Sequence, residues 1–332
     1  MTRVGVLGAG SWGTTLADLL ARQGHEVRIW AHEPDVVSAI NDRHENPVFL
    51  PECPLDGGLT ATADPVAALA GADVILCAAP SHVVRQVVLR GTGGQGSEAL
   101  WVSATKGLEP GSLKLTSQVI GESVPGARVV ALSGPSFALE VYRRQPTAVV
   151  AASIDEAAAQ QAQRVFSTPQ FRVYWNRDLV GVELGGALKN VIAIAAGILD
   201  GLGLGYNPQA ALITRGLAEI TRLGVAMGAD PLTFAGLAGI GDLVLTTTGL
   251  LSRNRALGVA LAGGQTLKAY TAQHRSVAEG VTTAESAVKL AERFGVELPI
   301  CHQVYQILFA GKSPMDAVKD LMERAPKMEQ WR

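Results

Sequence analysis

A single lysine stands in an otherwise uncharged run of the sequence. Lys189 is the only charged residue between Glu183 and Asp200, within "LGGALKNVIAIAAG". Burial lowers the pKa of an ammonium group toward neutrality, where a general acid or base works best. Gly185 and Gly186, about one turn earlier on the same face, leave space for a ligand. We therefore predict that Lys189 transfers a proton; the alternative is a lysine that extends from a buried helix to water.

Two further charged residues could belong to the same site. Lys106 in "ATKG" follows an apolar run that reads as a strand, and parallel sheets bind ligands beyond the carboxyl ends of their strands. Asp242 in "GIGDLVLT" lies between an apolar loop and a hydrophobic run, where its carboxylate could hold Lys189 or a substrate hydroxyl. The alternatives are an ordinary loop lysine and an aspartate that caps a helix.

The sequence "SRNR" offers the donors that a dianionic phosphate needs. Ser252, Arg253 and Asn254 combine a hydroxyl, a guanidinium and an amide at the start of a predicted helix, whose first backbone amides are unpaired. A serine that only caps the helix is the alternative for Ser252. Further along, "VAEG" at residues 277–280 places the carboxylate of Glu279 at the entry to another helix, and the residues alone assign it no role.

Three glycines near the start of the chain form a phosphate-binding pattern. Gly8, Gly10 and Gly13 in "GAGSWG" follow an apolar run and open an amphipathic stretch. In this strand–turn–helix context the first glycine allows a tight turn, the second lets a pyrophosphate approach the backbone, and the third lets the helix pack on the sheet. The helix N-terminus then faces the phosphates. The pattern predicts a dinucleotide site; the alternative is a glycine-rich turn without a nucleotide.

The second predicted strand ends at residues that would contact the adenosine ribose. Glu33 in "AHEP" could accept a hydrogen bond from a 2′-hydroxyl and favour NAD. His32 beside it could instead accommodate a 2′-phosphate and admit NADP. Because the two residues indicate different cofactors, we predict NAD or NADP without choosing between them.

Strand and helix patterns alternate over the first half of the chain. Up to about residue 175, apolar and β-branched runs predict strands at "RVGVLG", "EVRIWA", "ADVILCAAP", "ALWVSATKG", "ARVVALSGP" and "PTAVVAAS". Helices are predicted between them over residues 11–23, 64–70, 81–90 and 113–122. Strands separated by helices imply a parallel sheet covered on both faces. We expect an α/β fold here, with a Rossmann-type doubly wound sheet.

The character of the sequence changes after "FRVYWN". Long segments rich in alanine, leucine and glycine follow a 3.6-residue period, which predicts helices over residues 180–199, 208–227, 231–237, 253–262, 282–294, 304–309 and 314–323. We therefore expect a dinucleotide-binding domain over residues 1–176 and an all-helical substrate-binding and catalytic domain over residues 177–332. The cleft between them is the natural place for an active site.

Composition narrows the class of protein. A chain of 332 residues suggests about two domains, and 48% hydrophobic with 17% charged residues is typical of a well-packed soluble protein. The net charge of −2, without a basic block, argues against nucleic-acid or membrane-surface partners. The apolar run over residues 184–199 contains a lysine, which favours a buried helix over a membrane span.

The cysteines and the N-terminus indicate a compartment. Cys53, Cys77 and Cys301 lie far apart, without the spacing of a metal site, so we predict no structural metal and a reducing environment. The first predicted strand begins near Arg3, which leaves no room for a signal peptide. We therefore expect a cytoplasmic protein.

Eight motifs taken together resemble one enzyme family. In chain order they are "GAGSWGT", "ATKGLE", "SGPSFALE", "GGALKNVIAIAAG", "ALITRGLAE", "GLAGIGDLVLT", "SRNR" and "EG". Over nearly its whole length the sequence is similar to the bacterial NAD(P)-dependent sn-glycerol-3-phosphate dehydrogenases. The resemblance implies reversible reduction of dihydroxyacetone phosphate to sn-glycerol 3-phosphate, the backbone precursor of phospholipids.

The resemblance also implies roles for individual residues, with Lys189 matching the family's proton acceptor. Beside the three glycines, the positions that match cofactor contacts are Ser11, Trp12, His32, Lys106, Ala138, Arg253, Val277 and Glu279. The positions that match substrate contacts are Lys106, Gly134, Ser136, Lys189, Asp242, Ser252, Arg253 and Asn254. Two features depart from the family pattern: His32 stands where many relatives have arginine, and "TTTGLL" replaces a version that contains cysteine.

Two other functions fit parts of the pattern. A related two-domain dehydrogenase acting on a hydroxy acid or a sugar acid could use "SRNR" as a carboxylate clamp. A catalytically silent nucleotide sensor would keep the fold, but it would have no reason to keep Lys106, Lys189 and Asp242 together. The glycine-rich run around Lys189 could pack against a second copy of the chain, so a homodimer is a further expectation.

Overall fold

The computed structural model describes residues 1–273, 278–326 and 328–329. Within them, eight strands form one sheet in the order β3-β2-β1-β4-β5-β6-β7-β8. The strands are β1 (Arg3–Leu7), β2 (Glu26–Trp30), β3 (Thr60–Thr62), β4 (Val74–Cys77), β5 (Leu100–Ser103), β6 (Arg128–Ser133), β7 (Thr147–Ala152) and β8 (Phe171–Asn176). The expected α/β fold with a Rossmann-type sheet is confirmed.

Helices cover both the sheet and the second half of the chain. Those of the sheet region are α1 (Ser11–Arg22), α2 (Pro34–Arg43), α3 (Pro65–Leu69), α4 (Val84–Thr92), α5 (Thr116–Ser123), α6 (Ala138–Tyr142) and α7 (Glu156–Phe166). A 3₁₀ turn, Ser81–Val83, precedes α4. The structure has helices at all four segments predicted here, whereas α2, α6 and α7 were not predicted.

The second half is helical throughout its described residues. The helices are α8 (Leu179–Gly201), α9 (Tyr206–Ala226), α10 (Pro231–Phe234), α11 (Asp242–Thr248), α12 (Arg253–Ala262), α13 (Leu267–Gln273), α14 (Glu279–Phe294), α15 (Pro299–Phe309) and α16 (Pro314–Met322). A π-helical turn, Leu237–Gly241, joins α10 to α11. The predicted all-helical C-terminal region is confirmed, with α11 and α13 as additions.

One strand pair breaks the parallel sheet that the sequence predicts. Strands β6 and β7 are antiparallel, whereas the other neighbouring pairs are parallel. A parallel partner requires a crossover that returns the chain along the full strand. Helix α6 has five residues and spans about 7.5 Å, far less than the roughly 20 Å of the six-residue β6. The chain instead reverses over residues 134–146 and enters β7 antiparallel to β6.

The sheet reverses its winding between β1 and β4. Strand β1 pairs with β2 on one side and with β4 on the other, so the connections leave β1 in opposite directions. In open α/β sheets, such a reversal opens a crevice at the carboxyl ends of the strands. The glycine turn after β1 lies at this crevice.

Helix α8 is the axis of the helical region. It packs against α9, α11, α12 and α14, and most of its residues are buried. Gly197 and Gly258 allow close approach of α8 and α12, because a Cβ at either position would collide with backbone of the other helix. The glycine-rich surface of α8 is thus used inside the chain and does not supply an interface for a second copy.

By length and composition alone, α8 could cross a membrane. Its apolar window is entirely buried within the protein, as in the core helix of a soluble fold. The segments Pro231–Thr248 and Arg253–Ala262 pass the same test only as one span bent by 47°. Burial of α8 on all sides agrees with the interpretation of this run as a core helix.

The segment between β5 and α5 joins the two halves. Leu108, Leu113 and Leu115 precede α5 in the chain, yet they are buried in the hydrophobic core of the helical half. Leu108 and Leu115 also form an antiparallel bridge, which closes the segment into a loop. The predicted boundary at residues 176–177 falls between β8 and α8, whereas this loop precedes it in the chain and still packs in the core of the helical half.

Candidate active site

The glycine turn has the geometry of a nucleotide cradle. Gly8 has a φ of +113°, and a Cβ there would lie about 2.9 Å from the backbone nitrogen of Ala79. A Cβ at Gly13 would collide with the carbonyl oxygen of Gly8 and lie 3.1 Å from the Cβ of Ala78. Gly10 has no neighbour within 4 Å of such an atom. Two glycines are therefore required for packing, and the third faces open space where a pyrophosphate could approach.

The start of α1 offers unpaired donors to that space. Gly10 is the N-cap of α1 and has no side chain, so the first amides of the helix, from Ser11 onward, lack a cap. The indole Nε1 of Trp12 is buried without a hydrogen-bond partner, while its ring packs against Phe171. Open space, unpaired amides and positive helix-terminal charge fit a dinucleotide diphosphate.

The other predicted cofactor contacts lie around this crevice. His32 is exposed directly after β2, with its ring centroid 6.3 Å from that of Trp30. Ala138 begins α6, and its carbonyl oxygen accepts a hydrogen bond from Thr15 of α1 at 3.3 Å. Val277 lies outside the described residues. These three assignments stay predictions.

Two lysines from different halves of the chain share one aspartate. Lys189 Nζ donates to Asp242 Oδ1 and, at 2.7 Å, to Thr246 Oγ1. Lys106 Nζ donates to the other oxygen, Asp242 Oδ2, at 2.7 Å. Asp242 is fully buried, and the exposed fractions of the two lysine side chains are 7% for Lys189 and 16% for Lys106. We call Lys106, Lys189 and Asp242 the lysine cluster.

Burial sets the charge state of the lysine cluster. It lowers the pKa of Lys189 to about 7, helped by the positive charge of Lys106 and opposed by the attraction of Asp242. Burial also raises the pKa of Asp242, but the two ammonium groups outweigh this effect and hold it below its ordinary value. Asp242 is therefore ionised near neutrality, whereas Lys189 can gain or lose a proton there.

Lys106 is fixed by the strand edge as well as by Asp242. Its ammonium group donates to the carbonyl oxygen of Gly134 at 2.9 Å and to Ser136 Oγ at 3.4 Å. Ser136 Oγ itself donates to the carbonyl oxygen of Gly134 at 2.8 Å. The structure thus brings five predicted substrate contacts together, namely Lys106, Gly134, Ser136, Lys189 and Asp242.

Asp242 is positioned by an irregular turn of helix. It is the first residue of α11, after the π-helical turn in which Gly239 has non-helical backbone angles. Its side chain makes no capping hydrogen bond and binds the two lysines instead. The capping alternative considered for Asp242 is therefore wrong.

The predicted phosphate donors in "SRNR" have different environments. Ser252 Oγ accepts a hydrogen bond from the backbone nitrogen of Arg255 at 3.2 Å, so Ser252 caps α12 as its alternative stated. Asn254 is buried and bonds Asn190 Oδ1 through its Nδ2, and it accepts from the Gly280 nitrogen. Arg253 is exposed as a residue, although the protein around its guanidinium lowers the pKa of that group. Of the three, Arg253 is the donor left most accessible to a ligand.

Glu279 connects the two halves at the crevice. Its carboxylate accepts from the backbone nitrogen of Ser81 at 3.1 Å and from Ser81 Oγ at 2.5 Å. Ser81 follows β4, one of the two strands at the reversal of the sheet, while Glu279 is the first residue of α14. The carboxylate whose role the residues alone left open therefore holds α14 against the predicted cofactor edge.

The sequence reasoning missed three polar residues of the site. Thr246 bonds both Lys189 and Asp242, and it lies one helical turn after the aspartate. Asn190, next to Lys189, donates to the backbone oxygen of Lys106 at 3.2 Å. Ser81 has no local signal, because its partner Glu279 lies 198 positions away.

Two family models match consecutive parts of this chain. The N-terminal model of NAD-dependent glycerol-3-phosphate dehydrogenase matches residues 3–159, and the C-terminal model of the same enzyme matches residues 178–319. Together they cover both the glycine turn and the lysine cluster.

Full-length relatives of this chain belong to the same enzyme family. The chain is 55% identical to glycerol-3-phosphate dehydrogenase (NAD(P)+) of Citrifermentans bemidjiense and 55% identical to that of Geobacter sp. strain M21, each over 98% of both chains. The crystal structure of glycerol-3-phosphate dehydrogenase from Coxiella burnetii is 41% identical, with a TM-score of 0.93 over 97% of this chain and 99% of that one. The chain belongs to the NAD-dependent glycerol-3-phosphate dehydrogenase family.

Proposed function

We propose that this protein catalyses the reversible reduction of dihydroxyacetone phosphate to sn-glycerol 3-phosphate, with NADH or NADPH as the reductant. Membership of the family supports the reaction, because its full-length relatives carry that name. The single observation that carries the catalytic assignment is the lysine cluster. It combines a group able to exchange a proton near neutrality with fixed positive charge.

Lys189 is the proton donor of the reduction in this proposal. The bound reduced nicotinamide would supply a hydride to the carbonyl carbon. The carbonyl oxygen then takes the proton of the Lys189 ammonium group, which becomes neutral. In the reverse direction, neutral Lys189 removes the hydroxyl proton of glycerol 3-phosphate. A pKa of about 7 suits both directions, since both forms of the amine are then available.

The charge of the site favours an anionic substrate. With both lysines protonated, two ammonium groups and one carboxylate leave one net positive charge in a largely buried site. We assign the phosphate to Arg253, an exposed residue whose guanidinium can form two parallel hydrogen bonds with it. Asp242 holds the two ammonium groups near each other, and a phosphate or carbonyl oxygen of the substrate would share their hydrogen bonds.

The choice between NAD and NADP remains a proposal about His32 and Glu33. His32 is exposed, and Glu33, the residue before α2, makes no capping hydrogen bond with its side chain, so both are free to face a ribose. We expect His32→Ala to change the ratio of kcat/KM for NADPH to that for NADH by a few-fold, about 1 kcal/mol or less, because the imidazole can offer a 2′-phosphate a single hydrogen bond. An unchanged ratio would remove His32 from the cofactor site.

The proposal also covers the location of the enzyme, its metabolic role and its assembly. We place the enzyme in the cytoplasm, supported by three cysteines that are buried and free. Its product would serve the synthesis of glycerophospholipids. A homodimer stays a prediction, and it would have to use a surface other than α8; sedimentation of the purified protein would test it.

A direct assay tests the proposed reaction. Purified protein should oxidise NADH or NADPH when dihydroxyacetone phosphate is added, and it should reduce NAD or NADP with sn-glycerol 3-phosphate. Dihydroxyacetone without the phosphate serves as the control and should react far more slowly. Equal rates with both compounds, or none with either, would contradict the proposal.

A further inference from the structure

Glu183 is a buried acid that the proposed reaction does not use. It lies on α8, 6% exposed, and its carboxylate faces α5 of the sheet region. The backbone nitrogen of Ser117 donates to Glu183 Oε1 at 2.8 Å, and Ser117 Oγ donates to Oε2. Because a buried carboxylate is costly unless it is fully hydrogen-bonded, this contact is a specific link between the halves of the chain.

The loop ahead of α5 is held at both ends by one face of α8. Ser117 lies in the first turn of α5 and bonds Glu183. At the other end, the backbone oxygen of Lys106 accepts from Asn190, seven residues or about 10.5 Å further along α8. Positions 183, 186 and 190 share a helix face. Gly186 lies between them, and a Cβ there would be 3.6 Å from Lys106 Cγ.

We propose that Glu183 is a positioning residue for Lys106: by fixing Ser117 it holds residues 106–117 on α8, so that the Lys106 ammonium group reaches Asp242 and the substrate. The leucines of this loop are packed in the helical core and cannot move freely into solvent. A shift of α5 would therefore displace the loop and, with it, Lys106. The inference rests on the proposed function, in which Lys106 contacts the substrate.

The chain contains a matched control for Glu183. Glu219 on α9 is also buried, and it accepts from the backbone nitrogens of Ile300 at 2.7 Å and Cys301 at 3.2 Å, in the first turn of α15. Burial raises the pKa of both glutamates to about 7. Neither Glu219 nor its partners contact the lysine cluster. The Glu219→Ala variant therefore shows how much activity is lost when a buried, hydrogen-bonded carboxylate is removed and Lys106 stays in place.

A double-mutant cycle between positions 183 and 106 tests the proposal. We expect Glu183→Ala to lower kcat/KM for dihydroxyacetone phosphate by about 10- to 100-fold, mainly through KM. In the Lys106→Ala background the same change should cost less than about twofold, because Lys106 is no longer there to be misplaced. Glu183→Gln should restore most of the activity, since its amide can accept from the Ser117 nitrogen and donate to Ser117 Oγ.

The control and the milder variant keep the test decisive. Glu219→Ala should change kcat/KM by the same factor with and without Lys106. If Glu183→Ala does not fold, Ser117→Ala replaces it, with an expected loss of about two- to tenfold that again disappears in the Lys106→Ala background. Equal losses from the position 183 or 117 variants in both backgrounds would overturn the inference alone. Normal kinetics of Lys106→Ala itself would overturn it together with the assignment of Lys106 to the substrate site.

Discussion

The polar groups of the glycine turn lack hydrogen-bond partners within the protein, whereas those of the lysine cluster are paired with one another. At the turn, the first amides of α1 have no cap, Gly10 faces open space and Trp12 Nε1 has no partner. In the lysine cluster, the ammonium groups and the carboxylate bind one another. The turn can accept a ligand without rearrangement, whereas the cluster must exchange internal hydrogen bonds for those of the substrate.

Because of this difference, we expect the glycine turn to contribute to cofactor binding and the lysine cluster to contribute to catalysis. An open, preformed turn contributes binding, because no internal contact has to be broken. The cluster is held in a buried environment that brings the pKa of Lys189 to about 7, and that environment contributes to catalysis. Substitutions at the turn should therefore change cofactor affinity, and substitutions in the cluster should change turnover or substrate affinity.

Removal of the proton donor should give the largest effect. We expect Lys189→Ala to lower kcat by about 10²- to 10⁴-fold, the usual contribution of a positioned acid or base, while the Kd of NADH stays unchanged. Lys289→Ala is the control, because Lys289 is an exposed lysine paired with Glu285 on the surface of α14. Turnover within about threefold of the wild type in Lys189→Ala would exclude the assigned role.

Two glycine substitutions should separate binding from packing at the turn. Gly10→Ala meets no atom within 4 Å in the protein, so we expect unchanged thermal stability but a Kd for NADH raised about tenfold or more, as the methyl group would occupy the pyrophosphate's approach. Gly13→Ala would collide with Gly8, so it should lower the free energy of unfolding by about 1–3 kcal/mol. Normal NADH affinity of Gly10→Ala would contradict the account of the turn.

Substitution of Arg253 should give a smaller effect. We expect Arg253→Lys to raise the KM for dihydroxyacetone phosphate about three- to tenfold, because lysine cannot form the two-pronged contact of arginine with a phosphate. The kcat should change little, since Arg253 is not in the lysine cluster. Steady-state kinetics at saturating NADH measures both constants, and an unchanged KM would remove Arg253 from the phosphate site.

Local patterns were enough to predict most of the fold. The helix at 253–262 was predicted with its observed bounds, and the strands from β4 to β7 followed from their apolar runs. Helix α2 was missed although its sequence carries a proline in the first turn and apolar residues at helical spacing. The antiparallel β7 could not be predicted from its own residues, because its direction depends on how short α6 is.

Within the site, the sequence could nominate residues but not their partners. Lys189 was distinguished by its isolation in an apolar helix, a purely local signal. Its pairing with Asp242 spans 53 positions, and the pairing of Asp242 with Lys106 spans 136. Glu183 gave no signal at all, because an acid in an apolar helix has no meaning until Ser117 is placed against it. Such contacts arise only from the packing of the two halves.

The pH dependence of kcat/KM in both directions tests most directly the claim that buried Lys189 exchanges a proton near neutrality. Reduction needs the ammonium form, so kcat/KM for dihydroxyacetone phosphate should fall above a pKa of about 7, while oxidation of glycerol 3-phosphate should rise through the same value. Because Asp242 raises the pKa of Lys189, Asp242→Asn should move both limbs to lower pH. Flat profiles across the neutral range, or limbs that Asp242→Asn leaves in place, would contradict the account.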